Sequence, residues 1–449
     1  MLLAGGCASM PDTEFLTQRY AGQAAKFKST LGPLSARQSA AIVAKLKRQS
    51  GNLDILDKQI ALEQEIGGGA LVTGNRVVLL QDGPATYAAM FTAIRAAKAH
   101  INVESYIIED GEIGQQFADL LIARQAEGVQ VNVLYDSAGG LWTAGRYFER
   151  LRQAGVEVVE FNPVNPLAGR KPWRLTHRDH RKLLIVDGKT AFLGGINISG
   201  VYSSGSSFFS RPEPEPGPAP VGWRDTDIQV DGPVVAEFQK LFLESWNKQG
   251  GRPVGSHGYF PVLEPQGPTI VRAIGSTPDA PLSLIYLTLI SAIMNAEKQI
   301  CIANAYFVPD PQLLSALRDA AARGVDVHLM LPSGSDSKLA LNAGRSFYAE
   351  LLRSGVKIHE RRGAPLHVKT AMIDGVWSCV GSSNLDWRSA LDNDEINAII
   401  LGREFADEMA KAYERDLLAS DEITWEAWRH RSLWPRLKEN WARLFARML

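Results

Sequence analysis

The sequence predicts an α/β protein made of two pseudo-symmetric halves, each built on a mixed, mainly parallel central sheet. Three observations carry this. Apolar, strand-like runs alternate with amphipathic segments of helical period, and the whole alternation occurs twice. A His-x-Lys-x(4)-Asp motif stands at the matching place in each copy.

In the first copy, the helical segment TYAAMFTAIRAAKAH leads into INVESYII, and GQQFADLLIARQAEG leads into VQVNVLY. In the second, LSLIYLTLISAIMNAEKQ leads into ICIANAYFV, and PQLLSALRDAAARG into VDVHLMLP. Each copy continues through a helix that ends at a Gly-Val turn, YFERLRQAGVEVVEF against YAELLRSGVKIHERR. Residues 67–250 form the first half, 251–264 a Gly/Pro-rich linker and 265–420 the second half. Residues 1–66 form an N-terminal segment, polar and helical in pattern from about residue 12. Residues 421–449 form an amphipathic C-terminal helix. The first half also carries the insertion SSGSSFFSRPEPEPGPAPVG, whose Pro and Ser content suits a surface loop.

With 449 residues the chain is too long for one ordinary core, which agrees with a duplication. Its net charge of −1 supplies no basic field for nucleic acid, and no nucleic-acid partner is expected. No stretch is apolar for long enough to cross a bilayer. The start, MLLAGGCASMP, resembles a bacterial lipobox with Cys7 as the lipidated residue, although Ala4 stands at position −3 and only six residues precede the Cys. Cys301 and Cys379 lie in apolar runs and read as buried strand residues.

The two motif segments superpose without a gap. From each histidine (His180, His367), Lys falls at +2 (Lys182, Lys369), Asp at +7 (Asp187, Asp374), Gly at +14 (Gly194, Gly381) and Asn at +17 (Asn197, Asn384). Residues two apart on a strand share a face, so His and Lys project together. A neutral imidazole can attack phosphorus while a protonated one serves the leaving oxygen. The lysines and asparagines suit the non-bridging oxygens as charge develops. Each half supplies one histidine, so the site needs both. No spacing suggests a metal, and no cofactor is expected. Asp187 and Asp374 complete the catalytic motif; an Asp before Gly at a strand end also suits a turn that supports the site.

A catalytic imidazole needs a carboxylate to fix its tautomer. Counting back seven residues from Gly232 and Gly402 gives Asp225 and Glu395 as equivalent candidates, with Asp227 a rival in the first copy. His177, Arg178 and Arg181 make HRDHRK basic, either for an anionic headgroup or as solvated surface. Tyr106 and Tyr306 end equivalent strands, where they would line the site or pack in the core.

These motifs, with GGINIS, WRDTDIQVDGP, AYFVPD and GSSNLDWRS, resemble the phospholipase D superfamily over about residues 70–420. Within it they are most similar to bacterial cardiolipin synthases of the shorter form, lacking N-terminal transmembrane helices. The resemblance implies two αβα halves with the active site at their interface. It also implies transfer of a phosphatidyl group to phosphatidylglycerol through a phosphohistidine, with phospholipids as substrates. His180 would be the nucleophile and His367 the acid/base, although pseudo-symmetry leaves the reverse order open. Hydrolysis with water as acceptor is the alternative. The expected setting is the bacterial envelope, as a membrane-associated monomer. In WPRLKENWARLFARML, Trp434, Leu437, Trp441, Leu444, Phe445 and Met448 share one helical face, with Arg436, Lys438, Arg443 and Arg447 on the rest. That pattern fits a helix in an anionic membrane interface, with docking onto the protein's own body the competing reading.

Overall fold

In the computed structural model, residues 26–51, 53, 55, 59, 69–167, 169, 173–204, 222–254, 258–280 and 283–449 are described. Cys7 and most of the Pro-rich insertion lie outside them. The strands in chain order are β1 (Phe27–Ser29), β2 (Gly32–Pro33), β3 (Leu71–Gln81), β4 (His100–Ser105), β5 (Gln130–Asp136) and β6 (Glu157–Phe161). They continue through β7 (Arg178–Asp179), β8 (Lys182–Val186), β9 (Thr190–Gly194), β10 (Thr226–Asp231), β11 (Thr269–Ser276) and β12 (Gln299–Asn304). The last six are β13 (Asp326–Pro332), β14 (Lys357–Arg361), β15 (Lys369–Ile373), β16 (Trp377–Gly381), β17 (Asn393–Leu401) and β18 (Ser420–Ile423).

The halves share one strand order. In the first it runs β6-β5-β4-β8-β9-β10-β3; in the second, β14-β13-β12-β15-β16-β17-β11, with β18 outside β14. Strand β3 joins the sheets, pairing with β10 through Arg76–Gln81 and with β11 at Val72 and Asn75. The motif strands KLLIV and KTAMI are buried throughout, because the sheets are covered on both faces and a one-sided alternation is not needed. One core fills each half, and a third spans both. This shared core joins Leu193, Ile228 and Phe238 to Val380, Ile396 and Phe405.

The expectation of a mainly parallel sheet needs correction. Only β4-β5-β6 and β12-β13-β14 pair in parallel; the other pairings within each half are antiparallel. The β8–β9 and β15–β16 pairings are antiparallel because of the Asp-Gly after each motif strand. Asp187 and Gly188 have φ 53° and 62°, Asp374 and Gly375 54° and 64°. Lys189 N donates to Val186 O at 3.0 Å, and Val376 N to Ile373 O at 3.2 Å. Two successive positive φ angles make a tight turn whose twist matches an antiparallel hairpin. The chain therefore doubles back where a crossover helix would have kept it parallel.

The ends of the chain differ from expectation as well. Residues 27–33 form a short hairpin, and the helix after it is Ala36–Ser50, opened by a reciprocal Ser35–Gln38 cap and stopped by Gly51 at φ 79°. The region 421–449 is not one helix. Strand β18 runs into it, followed by helices Trp425–Arg429 and Leu433–Arg443. Among the described residues no helix is long and apolar enough to cross a membrane.

The structure sets Asp187 and Asp374 apart from the other residues of the motif. The Asp187 carboxylate accepts from the backbone N–H groups of Lys98, Ala99 and His100 at 2.7–3.1 Å. Asp374 does the same for Glu297, Lys298 and Gln299 at 2.7–2.9 Å. Those amides stand at the starts of β4 and β12, whereas Lys182 and Lys369 pair at the far ends, opposite Ser105 and Asn304. Five residue steps along the strand separate Asp from Lys by about 16 Å, too far for a shared chemical step. The Asp instead ties the hairpin to the strand beside it. Asp187→Ala loses three acceptor contacts and the tolerance of positive φ, and should lower stability by about 2–4 kcal/mol in urea unfolding. Asp187→Asn should lose about half as much. An unchanged midpoint with abolished turnover would return Asp187 to the chemistry.

Candidate active site

Each histidine stands two residues before its lysine, at the mouth of its motif strand, and each is held by the opposite half. Strand β7 pairs in parallel with the start of β17, and His180 N donates to Asp394 O at 2.9 Å. In the pseudo-symmetric place, Arg224 bridges Leu366, and His367 N donates to Arg224 O at 2.8 Å. The next residue after each of those carbonyls carries the carboxylate. His180 Nδ1 lies 3.0 Å from Glu395 Oε1, and His367 Nδ1 lies 2.7 Å from Asp225 Oδ2. Each half thus orients the other half's histidine. Counting back from the glycines aligned the two carboxylates but not this crossing.

Close packing around the carboxylates separates Asp225 from its rival. A Cβ on Gly195 would fall 2.2 Å from the Asp225 carboxylate; in the second half the same position is Ser382, whose hydroxyl donates to Glu395. A Cβ on Gly194 would fall 2.1 Å from Asp227 Oδ1, and one on Gly381 2.1 Å from Asn397 Oδ1. Asp227 accepts from Ile196 N at 3.0 Å and so holds the loop after β9. Burial raises its carboxyl well above the usual range. The glycine at +14 in each motif exists for this second side chain.

The lysines sit behind the histidines. Lys182 Nζ donates to His180 O at 2.6 Å; Lys369 Nζ donates to His367 O and lies 3.0 Å from His367 Nδ1. Burial lowers Lys182 to about 7, with Glu395 opposing and Lys369 adding repulsion. Burial likewise lowers Lys369 to about 8. Burial also takes His180 down to about 4 against the pull of Glu395, and it lowers His367, where Lys369 adds to the effect. Burial alone would raise Glu395, but His180 and Lys182 hold it below the usual range. An ionised carboxylate accepts only, so His180 carries its proton on Nδ1 and leaves Nε2 with a free lone pair.

Both histidines line one cavity of about 550 Å³, together with Tyr106, Tyr306, Asn197 and Asn384. Tyr106 sets its ring edge to His180 with centroids 5.1 Å apart, and Tyr306 does so to His367 at 6.4 Å. The Asn197 amide is engaged within the protein rather than free for phosphate: Oδ1 accepts from Ile107 N at 3.1 Å, and Nδ2 donates to Tyr202 at 3.0 Å. Asn384 Oδ1 has no hydrogen-bond partner among the described residues. Sequence reasoning missed Tyr202 and Trp223, whose rings lie 5.7 and 5.6 Å from that of His367. They flank the insertion and follow no period that would mark them.

The basic run HRDHRK is not a solvated surface, because His177, Arg178 and Arg181 are all buried. His177 Nε2 lies 3.0 Å from Asp394, and Arg181 spans the halves by donating to Ser245 at 2.7 Å and Glu395 O at 3.2 Å. Of the three, Arg178 alone lines the cavity. Among the described residues no cluster of three or more His, Cys, Asp or Glu could hold a metal.

A family model described as cardiolipin synthase, PLD-like domain matches residues 90–203 and 289–417. A cardiolipin synthase of Alkalihalophilus pseudofirmus is 34% identical over 410 residues, covering 90% of this chain and 78% of the relative. The major cardiolipin synthase of Bacillus subtilis is 34% identical over 379 residues, covering 84% and 76%. Among solved structures, phosphatidylserine synthase of Haemophilus influenzae superposes with a TM-score of 0.63 at 14% identity, over 90% of this chain and 98% of that one, a likeness of fold.

The site's charge states set a pH profile. Where neutral His180 is the group that attacks phosphorus, kcat/KM for phosphodiester turnover should fall on the acid side only as pH drops through about 4. Where the Lys182 ammonium and a protonated His367 both serve the reaction, the alkaline limb should have fallen by the time pH rises through about 7. An acid limb at the ordinary histidine value would contradict the buried, neutral His180.

Proposed function

This chain belongs to the cardiolipin synthase family of phospholipase D-like proteins, and on that premise we propose that it transfers a phosphatidyl group from one phospholipid onto phosphatidylglycerol through a phosphohistidine. The observation that carries the reading is the crossed pair of histidine–carboxylate contacts opening on one cavity.

His180 Nε2 attacks the donor phosphorus, the N–P bond forms, and the bond to the headgroup oxygen breaks as His367, entering this step as the imidazolium held by Asp225, supplies that oxygen with its Nε2 proton. Neutral His367 then takes the proton of the acceptor hydroxyl, whose oxygen attacks phosphorus and releases His180. Glu395 and Asp225 hold the two rings in the required tautomer and stabilise each imidazolium in turn. Lys182 and Lys369, behind the rings, offset negative charge on the phosphoryl oxygens in a dry site, where such charge–charge terms are large.

A lipid substrate requires the cavity to meet a membrane, and the surface supports that. Trp434, Leu437 and Trp441 on the helix Leu433–Arg443, with Leu444 just after it, are 59–79% exposed. That helix packs on Lys338–Arg345, whose end supplies Ala340 to the cavity. Leu141 and Trp142 are also exposed, on the loop where Thr143 donates to Ile108 O. Both readings of the C-terminal helix therefore have support: Glu439 and Ala442 dock it, and its apolar side remains outward. We place the protein at the membrane surface of the bacterial envelope, with the phospholipids delivered from that surface.

Phosphatidylglycerol vesicles should yield cardiolipin and glycerol in equal amounts. His180→Ala and His367→Ala should each lower the rate by at least about 10³-fold. Phosphatidic acid without cardiolipin would assign hydrolysis instead. Replacing Trp434 and Trp441 with Ser should weaken co-sedimentation with anionic vesicles by about tenfold or more; undiminished binding would remove this helix from the membrane contact.

A further inference from the structure

We infer that Arg178 and Arg388 form a second anion subsite, on the His180 side of the cavity, that holds the acceptor lipid's own phosphodiester. The inference rests on the transfer reading above and names the acceptor subsite within it. Phosphatidylglycerol differs from a plain alcohol in one chemical respect. Its attacking hydroxyl is tethered through a three-carbon glycerol to a second permanent negative charge. In the acceptor step that hydroxyl oxygen forms a bond to the phosphohistidine phosphorus, the N–P bond breaks, and the hydroxyl proton passes to the other imidazole. A second anion then lies one glycerol away from the reacting phosphorus. The two lysines cannot serve it, since they lie behind the histidines and bond the His180 and His367 carbonyls.

Arg178 fits the task. It is 3% exposed and lines the cavity, yet its Nε and Nη1 have no hydrogen-bond partner among the described residues. Its fixed contacts are Nη2 to Asn162 O at 3.0 Å and an ion pair of Nη1 with Asp136 at 3.5 Å. A buried guanidinium whose Nε has no hydrogen-bond partner among the described residues and whose Nη1 meets only the Asp136 carboxylate at 3.5 Å is incompletely satisfied, and an anion in the cavity it lines would complete it. Arg388 lines the same cavity, is exposed, and makes no ion pair among the described residues. Burial and Asp136 raise the Tyr106 phenol while Arg388 and Arg178 pull it back, so both guanidiniums lie within electrostatic reach of Tyr106. Tyr106 is the ring set against His180, which places the pair beside the phosphohistidine. The second motif has Pro365 where the first has Arg178, so the subsite exists on one side only, as a reaction with unlike donor and acceptor positions requires.

The test is a partition measurement. Wild type, Arg388→Gln and Arg178→Gln are each given phosphatidylglycerol vesicles and radiolabelled glycerol, which has the attacking hydroxyls but no phosphate. Initial rates of cardiolipin and of labelled phosphatidylglycerol are compared. Both products leave from one phosphohistidine, so their ratio is independent of the donor step and of the amount of active protein. Each variant should lower the cardiolipin-to-labelled-phosphatidylglycerol ratio by roughly tenfold. Arg388 is on the surface, so its variant reads the ratio even if Arg178→Gln does not fold. An unchanged ratio in either folded variant overturns the subsite, including the case in which both products fall together because the arginines serve the donor. Wild type forming neither product sinks the transfer reading itself.

Discussion

The site depends on one exchange: each half lends a carboxylate to the histidine of the other. His180 meets Glu395, His367 meets Asp225, and in both cases the histidine's backbone N–H bonds the carbonyl of the residue just before that carboxylate. Backbone and side chain therefore fix the same contact twice. Neither half alone has an oriented imidazole, so the duplicated chain makes one centre rather than two. The shared core of Leu193, Ile228, Val380 and Ile396 has the same consequence, since separating the halves would expose it.

Burial then sets the chemistry. The two imidazoles, two lysines and two carboxylates are all withdrawn from water, and desolvation is the first influence on the histidines and lysines. It keeps the His180 ring neutral, pulls the His367 imidazole below its ordinary value and makes the lysines weak acids near neutrality. An arriving phosphodiester reverses part of this, because an anion beside a depressed ammonium favours its protonated form. The free site is in this sense poised for an anion. The incompletely satisfied guanidinium of buried Arg178 extends the same logic to a second one.

Much of this was legible in the sequence because it repeats. The spacing of His, Lys, Gly and Asn marked the site region, and counting back from Gly232 and Gly402 found Asp225 and Glu395. Four things were not legible, each for a physical reason. Which carboxylate faces which histidine is a tertiary fact that alignment of two equivalent segments leaves undetermined. The Asp at +7 looks like part of the triplet, yet a strand carries it about 16 Å away, to cap the amides of the neighbouring strand. The parallel-sheet expectation weighed the alternating helices over the Asp-Gly pairs, whose positive φ angles turn the chain back on itself. Arg178 and Arg181 read as one basic patch, but alternation on an extended backbone sends Arg178 to the cavity and Arg181 into the joint between the halves.

The crossed exchange can be seen directly with histidine side chains labelled with ¹⁵N. Asp225→Asn should change the tautomer signature of His367 and leave that of His180 in place, and Glu395→Gln should do the reverse. The opposite pattern, in which Asp225→Asn perturbs His180 and Glu395→Gln perturbs His367, would mean that each half serves its own histidine and would contradict the account.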